Sequence, residues 1–592
     1  MIRAMCENPG DQHSASAGEG MVPFSLYVEG LRLKFAGEDR LVFKDLSFAA
    51  QKGEKVLLLG PSGCGKSTLL QVLSGMIPHA IEVPMKCSDQ RIPSSWAYVF
   101  QDPDTQFCMP YVDEELAFVL ENLSVPQEEM TGRMQEVLSS VGLRLENLHI
   151  PISHLSQGMK QRLALASALL LQPEVLFLDE PSALLDPEGR EQIWEAVKSV
   201  SDGRTLIIVE HRIEEMAAYV DRVVLFGPDG VILGQGSPEV VFTVFKKELT
   251  EYGIWYPGVW DDYAGSPAGT ETFRPLTSVT VRTEELCEDL DAEGVCGVSA
   301  AHVTELSTNS GSSNISRINR WHGGEQEELH SGGVNQDPVL ELSDFTVLRK
   351  GQPVVAVDKA TVYPGEFAAV IGPNGAGKSS LLLGLMGLLR AEGEYRLGGD
   401  IVPPGKKRKE RKLRQGMLGR IGFVFQNPEL QFVTERVLDE VAYSLLVDGI
   451  PLEEAEMAAR ESLKRFGLSR LEQRHPYQLS TGQKRRLSVA TAMAREPEML
   501  LLDEPTFGQD ARNTFSILEM CEELRQAGTA ILMVTHEMQI AQNAATHIWE
   551  VQEGKIISQQ ASSRLTASPI GENRAADESS GERSLMLSGV SR

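Results

Sequence analysis

Nine residues, Gly60-Pro61-Ser62-Gly63-Cys64-Gly65-Lys66-Ser67-Thr68, combine inward-turning backbone N–H groups with one fixed ammonium. The apolar run Val56-Leu57-Leu58-Leu59 before them reads as a buried strand, and Leu69-Leu70-Gln71-Val72-Leu73 after them has helical spacing. Strand, glycine-rich turn and helix N-terminus together make a phosphate cradle. Lys66 is placed to reach β- and γ-phosphates, and the Ser67 hydroxyl to hold Mg2+. The pattern returns at Gly372-Pro373-Asn374-Gly375-Ala376-Gly377-Lys378-Ser379-Ser380, behind Ala368-Ala369-Val370-Ile371. A single glycine-rich turn ahead of an ordinary helix is a fair alternative reading, which the duplication makes far weaker. Cys64 reads either as a small residue that fits the loop or as a thiol that nucleotide would shield from alkylation.

Other reactive side chains also come in pairs. Asp179 and Asp503 end apolar strands, where a carboxylate can bind Mg2+ through water. Glu180 and Glu504 follow them, placed to polarise an attacking water. Gln101 and Gln426 end another strand, positioned to sense Mg2+ and the γ-phosphate, and His211 and His536 end a third, positioned to contact that phosphate. Leu155-Ser156-Gln157-Gly158-Met159 and Leu479-Ser480-Thr481-Gly482-Gln483 each put a hydroxyl and a glycine at a helix N-terminus, a second anion site per copy. Phe35, 25 residues before Gly60, reads as an adenine-stacking ring or equally as a core strand residue; the second copy offers no aromatic in clear register.

The elements that must position these groups repeat as well. Lys66 and Lys378 lie 312 residues apart, whereas Gln101/Gln426 and His211/His536 lie 325 apart and Ser156/Ser480 and Glu180/Glu504 lie 324 apart. The chain is thus a tandem duplication, with an insertion of about thirteen residues after the second glycine-rich loop. The basic run Lys406-Lys407-Arg408-Lys409-Glu410-Arg411-Lys412 falls there and reads as a solvated loop, or more sharply as a contact for anionic lipid or an acidic partner. Strands alternating with helices, polar groups at the strand ends, predict a mainly parallel α/β sheet in each copy, joined by an antiparallel β subdomain and a helical subdomain. Expected boundaries are a disordered segment 1–23, a first domain 24–245, an acidic flexible linker 246–337, a second domain 338–558 and a disordered tail 559–592. Residues 251–337 hold 15 acidic and 4 basic side chains, which suits a linker. Trp255, Tyr256 and Trp260 at its start are expected to dock on copy one.

A length of 592 residues implies several domains, and a net charge of -27 argues against a protein that coats nucleic acid. No run of 18 apolar residues suggests a membrane-spanning helix, and the polar first twenty residues do not read as a secretory signal. Seven scattered cysteines without C-x-x-C spacing fit a reducing compartment better than a disulfide or zinc framework.

The complete motif set, in both copies and across nearly their whole length, resembles the ATP-binding cassette (ABC) superfamily. That resemblance implies two P-loop NTPase domains paired head to tail, ATP and Mg2+ as cofactors, and two composite sites. Site one would join Lys66, Gln101, Asp179, Glu180 and His211 to Ser480 and Gly482; site two would join Lys378, Gln426, Asp503, Glu504 and His536 to Ser156 and Gly158. Both are expected to hydrolyse ATP. The family's L-S-G-G-Q signature is altered at Gln157 and Met159 in copy one and at Thr481 in copy two, so slower hydrolysis is expected at site two.

Val99-Phe100-Gln101-Asp102-Pro103-Asp104-Thr105-Gln106-Phe107 and Val424-Phe425-Gln426-Asn427-Pro428-Glu429-Leu430-Gln431-Phe432 are each followed by a D-E-x-A-(F/Y) type helix. This is similar to the energy-coupling factor (ECF) ATPases of prokaryotic vitamin and cobalt or nickel importers. Two fused ATPases with Val209-Glu210-His211-Arg212 in the first look like those assigned to thiamine-precursor importers. The implied partners are a polytopic membrane coupling subunit and a small substrate-binding membrane subunit. The chain would then sit peripherally on the cytoplasmic face of the membrane, without nucleic acid. The alternative is a soluble tandem ABC ATPase such as a ribosome-associated translation factor, disfavoured by the acidic linker. A tandem sugar-importer ATPase usually has a degraded second P-loop, and DNA-repair relatives need zinc ligands or inserted coiled coils.

Overall fold

Wholly buried five-residue strands form the centre of each repeat: Val175–Asp179 and Thr205–Val209 in the first, Met499–Asp503 and Ala530–Val534 in the second. Such continuous apolar runs can exist only where both sheet faces are covered, the condition of a parallel sheet clad in helices. The computed structural model of the chain describes residues 23–35, 40–183, 185–213, 216–274, 337–403 and 408–566.

In the first repeat the central sheet runs Ile232–Gly236, Arg222–Phe226, Lys55–Leu59, Thr205–Val209, Val175–Asp179, Trp96–Val99, parallel except at the 232–236 edge. A separate antiparallel sheet pairs Phe24–Leu33 with Phe43–Gln51 and with the short strands Met85–Lys86 and Asp89–Arg91. The second repeat joins the same two parts into one ten-stranded sheet, linked where Ala356 pairs in parallel with Lys555. Its parallel core is Phe367–Ile371 between His547–Gln552 and Ala530–Val534, continued by Met499–Asp503 and Ile421–Val424. Helical pairs stand beside both cores, Val112–Asn122 with Gln127–Ser140 and Val437–Val447 with Leu452–Arg465. The expected α/β class with an antiparallel and a helical part is therefore observed in both repeats.

Three expectations change. The stretch from 246, read as flexible linker, begins with the helices Lys246–Glu251, Val259–Ala264 and Pro267–Thr272. Its aromatic residues pack on the second repeat rather than docking only on the first: Tyr263 stacks on Phe515 at 3.8 Å between ring centroids, and Trp260 meets the same ring edge-on at 5.0 Å. Trp255 Nε1 donates to the Gln509 carbonyl at 3.0 Å. Averaging composition over 251–337 hid five aromatics between 252 and 263, of which Trp255, Trp260 and Tyr263 pack on Phe515 of the helix Ala511–Gln526, contacts that offset the cost of ordering three short helices. Residues 275–336 lie outside the described residues, as do 1–22.

Of the tail expected to be disordered, 559–592, residues 559–566 continue the strand Lys555–Ala561 and turn into Ser563–Thr566, and 567–592 lie outside the described residues. Arg564 is buried there, donating to Glu522 at 2.9 Å and to the Ala544 carbonyl at 2.8 Å. A buried guanidinium needs acceptors, and the helix Ala511–Gln526 supplies the charge through Glu522. The basic insertion, read as a loop, carries the helix Arg408–Leu418; Lys406 and Lys407 lie outside the described residues.

Candidate nucleotide site

Each glycine-rich loop joins a central strand to a helix that begins at the lysine, Lys66–Leu73 and Lys378–Leu385. Gly65 at φ 100° and Gly377 at φ 101° occupy the left-handed region just before those helices. A Cβ on Gly65 would come within 2.8 Å of Phe43, and one on Gly377 within 2.7 Å of the Val354 carbonyl, so the close approach also demands glycine. Lys66 Nζ donates to the Gly60 and Pro61 carbonyls at 2.7 and 3.1 Å; Lys378 does the same to Gly372 and Pro373 at 2.7 and 2.8 Å. Both ammonium groups are buried and held by neutral carbonyls of their own loops, a donor set that suits an incoming polyphosphate. Burial pushes the Lys378 pKa down, and the carboxylates of Glu504, Asp186 and Asp503 partly oppose it. Asp186 belongs to the first repeat.

Thr68 and Ser380 lie in the first turns of these helices, and Ser62, Gly63, Asn374 and Gly375 form the loop crests. Cys64 and Ala376 are buried under their loops. The Cys64 sulfur faces the core of the antiparallel sheet and would lie 2.8 Å from a Cβ on Gly60. Cys64 is thus buried by the protein itself. Phe35 is half-buried against the same core.

Serine, aspartate, glutamate, glutamine and histidine meet in one hydrogen-bonded set per repeat. Ser67 Oγ donates to Asp179 Oδ1 at 2.7 Å, and Ser379 Oγ to Asp503 Oδ1 at 2.9 Å. Gln101 Nε2 donates to Glu180 Oε2 at 2.8 Å, and Gln426 Nε2 to Glu504 Oε2 at 2.7 Å. His211 Nε2 lies 2.9 Å from Glu180 Oε1, and His536 Nε2 lies 2.7 Å from Glu504 Oε1. Burial would raise the Glu180 pKa, but the His211 hydrogen bond and charge, with Lys66, bring it below its ordinary value. The serine hydroxyl and neighbouring aspartate are oxygen ligands of the kind Mg2+ takes alongside phosphate oxygens.

Both glutamates stand in the left-handed region, at φ 49° and 47°, held there by Glu180 N–H to the Val209 carbonyl at 2.8 Å and Glu504 N–H to the Val534 carbonyl at 3.0 Å. A non-glycine residue at such φ carries roughly 1 kcal/mol or more of strain. The same left-handed pairing recurs outside the site at Gln172 and Glu496, at φ 49° and 48°, so at Glu180 and Glu504 it is the strand-end hydrogen bond together with the glutamine and histidine contacts that fixes the side chain.

The signature residues engage their own helices. Ser156 Oγ accepts from Met159 N–H at the start of Gln157–Leu170, and Ser480 Oγ accepts from Gln483 N–H at the start of Thr481–Met493. Only the second has a reciprocal cap, Gln483 Oε1 accepting from Ser480 N–H at 3.0 Å; Met159 has no oxygen to offer. Gly158 and Gly482 occupy the first turns of these helices, where a Cβ on Gly482 would strike Asn513 at 2.4 Å. Among the described residues, the hydrogen bonds of both serines stay within their own repeat.

Several participants escaped the sequence reading. Tyr98 OH donates to Asp179 Oδ2 at 2.7 Å; the equivalent Phe423 has no hydroxyl. Asp503, without that donor, is raised by burial to about 6. Arg485 supplies positive charge near Asp503 and donates to the Phe425 and Gln426 carbonyls at 2.7 and 2.6 Å, where the first repeat uses Gln161 on Phe100 at 3.1 Å. Glu210 is buried and accepts from Ser182 Oγ at 2.9 Å, with its pKa raised to about 7 chiefly by burial and next by the Glu180 charge. Aligning the repeats position by position would have flagged the Tyr98/Phe423 and Gln161/Arg485 differences.

Known proteins agree with this geometry. The ABC transporter family model matches residues 43–183 and 357–507. The chain belongs to the ABC transporter family and carries two of its ATP-binding domains, which bind ATP, generally with Mg2+, and hydrolyse it. A Bacillus subtilis (strain 168) protein, provisionally named HMP/thiamine import ATP-binding protein YkoD, is 36% identical over 539 residues, covering 88% of this chain and 89% of that one. A provisionally named ABC transporter ATP-binding protein of Methanosarcina acetivorans is 31% identical over 570 residues, covering 92% and 86%. The solved complex of archaeal ribosomal stalk protein aP1 with the ribosome recycling factor aABCE1 matches 90% of both chains at TM-score 0.54 and 18% identity, a likeness of fold. No helix among the described residues is long and apolar enough to cross a membrane.

Proposed function

We propose that this chain is the ATPase subunit of an ECF-type importer for a vitamin or transition-metal ion, a thiamine precursor being the first substrate to test. The observation that carries the reading is the pair of intact sites, each with its glutamate gripped by glutamine and histidine. One relative named as an import ATP-binding protein, and others named as ABC transporter ATP-binding proteins, similar over nearly the whole chain, support the transport role. In this reading each ATP lies between one repeat's Lys66 or Lys378 loop and the other repeat's Ser480 or Ser156 helix. The lysine exchanges its loop carbonyls for phosphate oxygens. Ser67 with Asp179, and Ser379 with Asp503, would hold Mg2+, which would supply charge neutralisation at the phosphates. Glu180 and Glu504, held at their strand ends, orient water and accept its proton, while His211 and His536 fix the glutamate. Phe35 stacks on the adenine of site one.

A membrane partner needs a docking surface, and the second repeat offers an apolar one. Leu430 is 72% exposed and Val447 63%, with Val433, Tyr443 and Leu452 also exposed. The loop beneath is shaped by buried Glu440, which accepts from the Val433 and Thr434 N–H groups at 3.0 and 2.8 Å. Such a patch on a protein surface marks an interaction site. The first repeat has Thr105, Cys108, Asn122 and Gln127 where the second has Leu430, Val433, Val447 and Leu452, so these four positions are less apolar there, while Phe118 and Leu123 keep some apolar surface exposed.

Co-purification of the chain from native membranes, followed by mass spectrometry, tests the proposal. Recovery with a polytopic membrane protein and a small membrane-embedded binding protein is the expected outcome. Recovery with ribosomes, or with no membrane protein, would overturn it.

A further inference from the structure

Arg212 and Glu537 occupy the same position of the two repeats, each one residue beyond the histidine of its site and 325 residues apart. They also touch: an Arg212 guanidinium nitrogen lies 2.6 Å from Glu537 Oε1, with side-chain exposures of 21% and 9%. A residue in contact with its own counterpart lies on the axis that relates the repeats. Identical repeats would set arginine against arginine or glutamate against glutamate at that point. This chain sets one against the other.

The rest of the two loops shows how the difference is built. In the first repeat the carboxylate precedes the histidine: Glu210 accepts from Ser182 Oγ at 2.9 Å. In the second that position is Thr535, and the carboxylate follows the histidine: Glu537 accepts from Thr506 Oγ1 at 3.0 Å. Each repeat therefore keeps one carboxylate on the hydroxyl that follows its catalytic strand. Only the second places it on the axis, opposite Arg212. The guanidinium also lies over the Trp255 ring, 4.7 Å from its centroid. His211, His536, Glu504 and Arg190 line the same cavity.

We propose that the Arg212–Glu537 pair is the recognition element that makes first repeat pair with second repeat and disfavours pairing of like with like between chains. Complementary charge favours the mixed pair, and like charges meeting in a desolvated contact penalise the other two. This inference rests on the reading that the repeats pair around nucleotide.

The test is a charge-reversal cycle in the full-length chain, reading steady-state ATPase per chain against protein concentration. Arg212→Glu and Glu537→Arg are each expected to lower the rate by at least about tenfold, since a desolvated like-charge clash costs several kcal/mol. The doubly reversed chain should regain at least a third of the wild-type rate, and an equimolar mixture of the two single variants should gain activity that grows with concentration. Arg212→Gln, which cannot repel, should lose less than either reversal and guards against a reversal that merely fails to fold. Single reversals without effect, or a doubly reversed chain no better than the worse single one, would overturn the proposal. A wild-type rate per chain that rises with concentration would instead overturn pairing within one chain, whatever the reversals do.

Discussion

Glu180 and Glu504 have the same backbone, the same glutamine and the same histidine, yet their neighbours differ. The copy-one signature that would serve Glu504's site departs from the family pattern twice, the copy-two signature once. Glu180→Gln should therefore abolish ATPase activity while Glu504→Gln leaves more than half of it; the reverse ranking in steady-state assays would refute the assignment. Tyr98 gives a second prediction. Tyr98→Phe removes the phenol that donates to buried Asp179 and copies what Phe423 already is, so it should lower stability by about 1–2 kcal/mol in chemical unfolding. A third concerns the thiols: peptide mapping after brief alkylation should find exposed Cys108 labelled and buried Cys64 unlabelled, with or without MgATP. Labelling of Cys64 that MgATP suppresses would restore the shielding idea.

At the scale of elements, helix ends carry the differences between repeats. Met159→Gln supplies the missing oxygen to the Ser156 N–H and should add about 0.5–1 kcal/mol to stability, read as a shift in the urea midpoint. The C-terminal turn Ser563–Thr566 hangs on Arg564 and Glu522. Burial opposes the Glu522 charge, but hydrogen bonds from Arg525 and Arg564 outweigh it and pull the carboxyl down to about 2. A depressed carboxyl stabilises above its unfolded value near 4.5 and loses that contribution as pH falls toward 2. Glu522→Gln should therefore cost roughly 3 kcal/mol at pH 7, through an arginine left buried and unpaired. The gap from wild type should close as pH drops from 4.5 to 2, and a gap independent of pH would show that packing, not charge, is responsible.

Strands were the most legible elements. Val175–Asp179 and Met499–Asp503 announce themselves by unbroken apolar runs ending in acid, and apolar alternation marked the antiparallel strands at the start of the first repeat. Hydrogen-bond partners were not legible, because Gln101 and Glu180 are 79 residues apart and only the sheet brings them together. The helices after 246 were missed because their stability comes from Phe515 and Gln509, more than 250 residues away, not from their own propensity.

On the scale of the whole molecule, the helices between 246 and 272 are joined covalently to the first repeat and packed on the second. Replacing both Trp255 and Trp260 by alanine should split unfolding into two calorimetric transitions, whereas a single retained transition would mean that other contacts couple the repeats. That arrangement also says what a broken gene would yield. A stop and restart anywhere in 275–336 would send the aromatic segment out with the upstream product, already shaped to the downstream one. Two separate polypeptides cut there would carry both the ring stacking on Phe515 and the Arg212–Glu537 pair, the contacts needed to bring them together again.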